Sequence, residues 1–125
     1  MAQRQRHILI CDDDPEIVSM LTMRMKHCGY HVSSASSGLT ALDEAQRLHP
    51  DLILLDVMMP GMSGWEVARK LKADPKTEGI KIIMVTAIGT AVNDATSPLY
   101  GADGHIDKPF EFADLDEKIH GLLGA

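Results

Sequence analysis

The sequence predicts an α/β fold in which helices cover both faces of a parallel sheet, and three observations carry that reading. Short apolar runs of strand length alternate with longer stretches of helical period, about five times along the 125 residues. The clearest runs, HILIC (7–11), DLILLD (51–56) and KIIMVT (81–86), are apolar almost throughout, the pattern of strands buried on both faces. Only 4% of the residues are aromatic, so the core is aliphatic, with the eight methionines serving as flexible filler.

Taken in order, the first strand is 7–11. After Pro15, Ile17, Val18, Leu21 and Met25 share one helical face, and Gly29 stands where that helix stops. YHVSSAS (30–36) is a weaker strand, expected near an edge. Residues 37–48 predict a helix with a stripe of Leu39, Leu42, Ala45 and Leu48, ended by Pro50. The strand 51–56 follows. Pro60 and Gly61 make a turn, and Ser63 or Gly64 begins a helix over 64–72 that carries Trp65, Val67, Ala68 and Leu71. After strand 81–86, the stretch IGTAVNDATSPLYGA is a poor helix former. Gly89, several β-branched residues and Pro98 predict a short, irregular or mobile fourth helix over 88–100, since an interior proline costs about 3 kcal/mol. DGHID (103–107) is a short last strand, and Phe112, Leu115, Ile119 and Leu122 mark a helix over 111–123.

Size and charge narrow the function. The length suits one domain, 1–125, with no linker or repeat. A net charge of −6 argues against direct binding to nucleic acid or anionic membranes, because nothing neutralises a run of phosphates. No apolar stretch approaches the roughly 20 residues that cross a bilayer, and MAQRQRH lacks the apolar segment of a signal peptide. Cys11 and Cys28 show neither metal spacing nor a disulfide framework, and Cys11 reads as a buried free thiol. A cytoplasmic protein is expected.

In an open α/β sheet the ligand site lies outside the carboxyl ends of the strands. Those ends carry Asp12 and Asp13, then Asp56, then Thr86, with Lys108 just past the fifth strand. Three carboxylates crowded together call for a cation, and an all-oxygen donor set suits Mg²⁺. A carboxylate so placed can act as a nucleophile toward phosphorus, with the metal, the ammonium and the hydroxyl stabilising the transferring oxygens. Asp14 reads differently from its two neighbours. It precedes Pro15, so its carboxylate can cap the first helix.

The segments ILICDDDPEI, PDLILLDVMMPGMSGWEV, IIMVTA and GADGHIDKPF, with their spacings, resemble the response-regulator receiver domains of two-component signalling over nearly the whole chain. The resemblance implies a flavodoxin-like, doubly wound five-stranded sheet of order 2-1-3-4-5. It implies that Asp56 accepts a phosphoryl group from a phosphohistidine of a sensor histidine kinase or phosphotransfer protein. Asp13 would coordinate Mg²⁺ directly, Asp12 would assist through water, and Met58 would contribute its backbone carbonyl. Thr86 and Lys108 would each hold a phosphoryl oxygen, the latter aimed by a cis Lys108–Pro109 bond. The surface formed by the fourth helix, fifth strand and last helix would then engage a downstream protein target, or an effector domain absent from this chain, which ends at GLLGA.

Two positions depart from the family pattern. Where receivers usually carry an aromatic switch residue, three before the lysine, this chain has His105, which is smaller and titratable. Met58 and Ile88, two residues after Asp56 and Thr86, are apolar and position no attacking water, so slow self-dephosphorylation is expected. Among other classes, an Asp-nucleophile phosphohydrolase usually has a second acid two residues after the nucleophile, where Met58 stands. An interaction module that has lost phosphorylation would have little use for all five site residues. A flavodoxin-like cofactor binder would have a Ser/Thr/Gly-rich phosphate loop where Asp12 and Asp13 stand.

Overall fold

The structure is a computed structural model that describes residues 5–59, 61–86 and 102–124. The expected helix over 88–100, with Ile88 and Pro98 in it, and the turn residue Pro60 lie outside the described residues.

Five strands, β1 (His7–Cys11), β2 (His31–Ala35), β3 (Leu52–Asp56), β4 (Lys81–Thr86) and β5 (Gly104–Asp107), form one parallel sheet of order β2-β1-β3-β4-β5. The order is the one the resemblance implies, and β2 is an edge strand as its weaker sequence predicts. Between the strands run α1 (Pro15–His27), α2 (Gly38–Leu48) and α3 (Gly64–Ala73), and a C-terminal helix spans Phe112–Leu123.

Strand pleating divides each continuous apolar run between two cores. Leu9, Cys11, Ile53, Leu55, Ile82 and Met84 pack with Ala41 and Ala45 of α2 and Val67 and Leu71 of α3. Ile8, Ile10, Leu52, Leu54, Ile83 and Val85 pack with Leu21 and Met25 of α1 and Leu115 and Ile119 of the C-terminal helix. Each buried Val, Leu, Ile or Met side chain contributes about 1.5–3 kcal/mol by leaving water, so both faces are needed to hold the sheet. Cys11 is buried as expected, and burial raises its thiol pKa well above the usual range.

The helix starts follow their sequence signals. Asp14 caps α1 by accepting the Glu16 amide at 3.0 Å, with Pro15 in the first turn. Ser37 caps α2 through the Thr40 amide at 3.2 Å, and Ser63 caps α3 through the Glu66 amide at 3.3 Å. One expectation holds only in part, since Ala45 is buried and Leu42 packs against the core but Leu39 does not. The stripe on α2 is carried by Gly38, Ala41 and Ala45, while Leu39 is 66% exposed. Small residues let this helix approach its neighbours closely, Leu42 packs beside them, and Leu39 falls outside the packed face.

Candidate functional site

Parallel pairing brings the carboxyl ends of β1 and β3 side by side, with Cys11 opposite Leu55. The residues that follow are therefore forced together. Asp12, Asp13 and Asp56 each present a carboxylate oxygen within 4.8 Å of the others. Asp12 and Asp56 are buried and Asp13 is exposed. The Asp12 carboxylate is held on one side by the Asp14 amide at 2.9 Å, and its own amide donates to the Ala35 carbonyl at 3.1 Å.

Lys108 reaches this group from beyond β5. Its Nζ lies 3.1 Å from Asp12 Oδ2 and 3.6 Å from Asp56 Oδ1. The Lys108–Pro109 peptide is cis. Burial works against the ammonium, but the hydrogen bond to Asp12 and the attraction of Asp56 outweigh it, leaving the lysine pKa above its ordinary value.

Asp56 feels the opposite balance. Burial and the neighbouring Asp12 charge push its pKa up to about 6, against the attraction of Lys108 and an amide hydrogen bond from Met58. One ammonium facing three carboxylates leaves a deficit of positive charge. The donor set fits a hard divalent cation: it is all oxygen, and an octahedral shell with bonds near 2.0–2.1 Å needs ligands about 3–4 Å apart. Asp12, Asp13 and Asp56, each with an oxygen within 4.8 Å of the others, would hold such a cation. From the acidic pair a cleft of about 540 Å³ opens between α1 and the start of α2, lined in part by Pro15, Val18, Ser19 and Thr40.

The remaining sequence-derived residues are placed by backbone register. Thr86 ends β4 opposite Asp107, and His105 lies in β5 opposite Met84. His105 is half-buried. Met58 is 66% exposed just after the acceptor strand. Sequence reasoning treated Gly64 only as a helix start, whereas a Cβ there would lie 2.3 Å from the Asp56 carbonyl oxygen. Its position at the end of the MMPGMSG turn was the available signal.

A parallel sheet of this order, with three carboxylates and a lysine at its carboxyl edge, defines a receiver-type domain. The family model described as the response regulator receiver domain matches residues 8–120, and the chain belongs to that family. It is 39% identical over 120 residues to the DNA-binding response regulator MtrA of Mycolicibacterium smegmatis, a match covering 96% of this chain and 51% of MtrA. A receiver domain protein (CheY-like) from Methanospirillum hungatei superposes with a TM-score of 0.90 at 33% identity, covering 97% of this chain and 95% of that one. The Thermotoga maritima response regulator TrrA, solved in complex with Mg²⁺-BeF, gives 0.84 at 36% identity, covering 94% and 99%. The chain spans about half the length of the curated relatives it matches. Among the described residues, no helix is long and apolar enough to cross a membrane.

Proposed function

We propose that Asp56 is the phosphoacceptor of a phosphorylation-operated switch, and that the domain itself promotes the transfer. The observation that carries this reading is the burial of Asp56 within ligand distance of Asp12 and Asp13, with Lys108 alongside. An Asp56 oxygen attacks the phosphorus of a phosphohistidine. The new O–P bond forms as the N–P bond breaks, and the imidazole leaves with its electron pair. With a pKa of about 6 the carboxylate is mostly ionised at neutral pH and is a competent nucleophile.

Asp12, Asp13, Asp56 and the Met58 carbonyl would hold Mg²⁺, which supplies charge stabilisation for the transferring oxygens. Lys108 pairs with one phosphoryl oxygen and Thr86 with another. His105 responds to that contact, and β5 with its neighbouring surfaces engages the downstream partner. The Mg²⁺-BeF complex of TrrA supports a metal role in this family.

The chain is read as one receiver domain, 1–125, supported by the match over 8–120 and by the single sheet. Its donor is a sensor histidine kinase or phosphotransfer protein, and its target a protein or an effector domain. The net charge of −6 supports the reading that this stretch does not itself contact DNA. Two free cysteines fit a reducing, cytoplasmic setting.

Incubation with Mg²⁺ and acetyl phosphate tests the proposal. Wild type gains the mass of one phosphoryl group and Asp56→Asn gains none; a gain in both, or in neither, defeats it. The phosphoryl group should then persist for minutes or longer, because Met58 activates no water. A lifetime of seconds would remove that part of the reading.

A further inference from the structure

The acceptor loop, described over residues 57–59 and 61–63, follows Asp56 and leads into Gly64. Its return is fixed by the Gly64 amide, which donates to the Val57 carbonyl at 2.9 Å. A second close approach comes from a helix that carries none of the site's carboxylates. A Cβ at Gly38, the first residue of α2, would lie 2.4 Å from the Met62 carbonyl oxygen and 2.7 Å from the Met62 Cβ. Real Cβ atoms do not come so near, and the nearer of the two partners is backbone, so a side chain at position 38 must displace the loop or the helix.

The turn leading into α2 is tied in the other direction as well. The Ala35 carbonyl accepts the Asp12 amide at 3.1 Å, and Ser37 locks the first turn through Thr40. Residues 35–38 thus bridge the two halves of the site, with Asp12 at one end and the loop that follows Asp56 at the other. The glycine has no need of unusual backbone dihedrals here, since its position is the first turn of a regular helix. The missing side chain is used for proximity.

We infer that Gly38 is a positioning residue for the metal site: by seating the Met62 carbonyl on α2, it sets the spacing between the Asp12–Asp13 pair and the acceptor loop. The inference rests on the proposed Mg²⁺ reading of those carboxylates. Residues that orient metal ligands without touching the metal typically change affinity by about 10–100-fold when altered.

The test is a Mg²⁺ titration followed by the fluorescence of Trp65, the chain's single tryptophan and the residue next to Gly64. Gly38→Ala should bind Mg²⁺ about tenfold or more weakly, and saturating Mg²⁺ should restore acetyl phosphate labelling. Gly121→Ala, where a Cβ meets nothing within 4 Å, should bind as wild type does. A folded Gly38→Ala with wild-type affinity overturns the inference alone. A wild type that binds no Mg²⁺ overturns the metal reading and this inference with it. A second measurement needs no variant: Mg²⁺ should slow amide exchange over residues 38–41 together with 57–59 and 61–63. Protection confined to the loop overturns the role of α2.

Discussion

The two ends of the sheet use the same residue types to opposite effect. At the amino-terminal end, Asp51 precedes β3 and Asp103 precedes β5, and each ties its strand to a neighbour by the same device. The Asp51 amide donates to the His7 carbonyl at 2.8 Å while its carboxylate accepts the His7 amide at 2.8 Å. Asp103 does the same with Ile82, at 2.9 and 2.8 Å. Cations complete both: Arg6 lies 3.8 Å from Asp51, and Lys72 lies 3.0 Å from Asp103 while also donating to the Glu78 and Ile80 carbonyls. At the carboxyl end, Asp12 and Asp56 share Lys108, and the Asp13 carboxylate crowds the same pair. Acids matched by donors stabilise the sheet. Acids crowded beyond their donors repel one another, and a bound cation can relieve that repulsion.

The contrast predicts that removing a carboxylate has opposite signs at the two ends. The largest effect is expected from Asp103→Ala, which leaves the Ile82 amide and the Lys72 ammonium without this acceptor. It should lower stability by about 2–3 kcal/mol in chemical denaturation and leave Mg²⁺ affinity unchanged. Asp56→Asn should instead stabilise the metal-free protein at pH 7.5, by about 1–2 kcal/mol after allowance for solvent screening. Because the folded pKa is raised to about 6 from 3.8, the native state binds this proton more tightly than the unfolded chain. Wild-type stability without metal should therefore fall as pH rises through the interval from 4 to 6, and Asp56→Asn should lose that slope. Mg²⁺ should offset the loss in wild type only. Finding the same sign for both substitutions would break the comparison.

A smaller change sharpens it. Asp14 adjoins the acidic pair yet serves as a helix cap, so Asp14→Ala should cost about 1 kcal/mol and leave Mg²⁺ affinity within about twofold, since its backbone amide still donates to Asp12. A collapse of metal binding in that variant would show that the three aspartates act as one unit.

Much of this was legible in one dimension. Strand and helix positions follow from runs and periods contained within a single element, and the helix starts at Asp14 and Ser63 from residues a few places apart. The gathering of Asp12, Asp13, Asp56 and Lys108 was legible too, because a parallel sheet brings whatever follows each strand to one edge. On α2 Leu39 departs from the expected face, because periodicity reports which residues are apolar, not how closely the helix approaches. Leu39 faces outward because Gly38, Ala41 and Ala45 are small enough to let the backbone in.

By itself, then, the sequence determined the elements, the membership of the carboxyl-end cluster and the separate task of Asp14, since each depends on neighbours within a few residues or on strand polarity. The strand order came from likeness to a family, not from residue periodicity. Tertiary structure alone decided the pairing of Asp51 with His7 and of Asp103 with Ile82, the raised pKa of Asp56 and the contact of Gly38 with Met62. Each is a matter of distance between segments remote in the chain, and charge and steric fit depend on that distance rather than on order along the sequence.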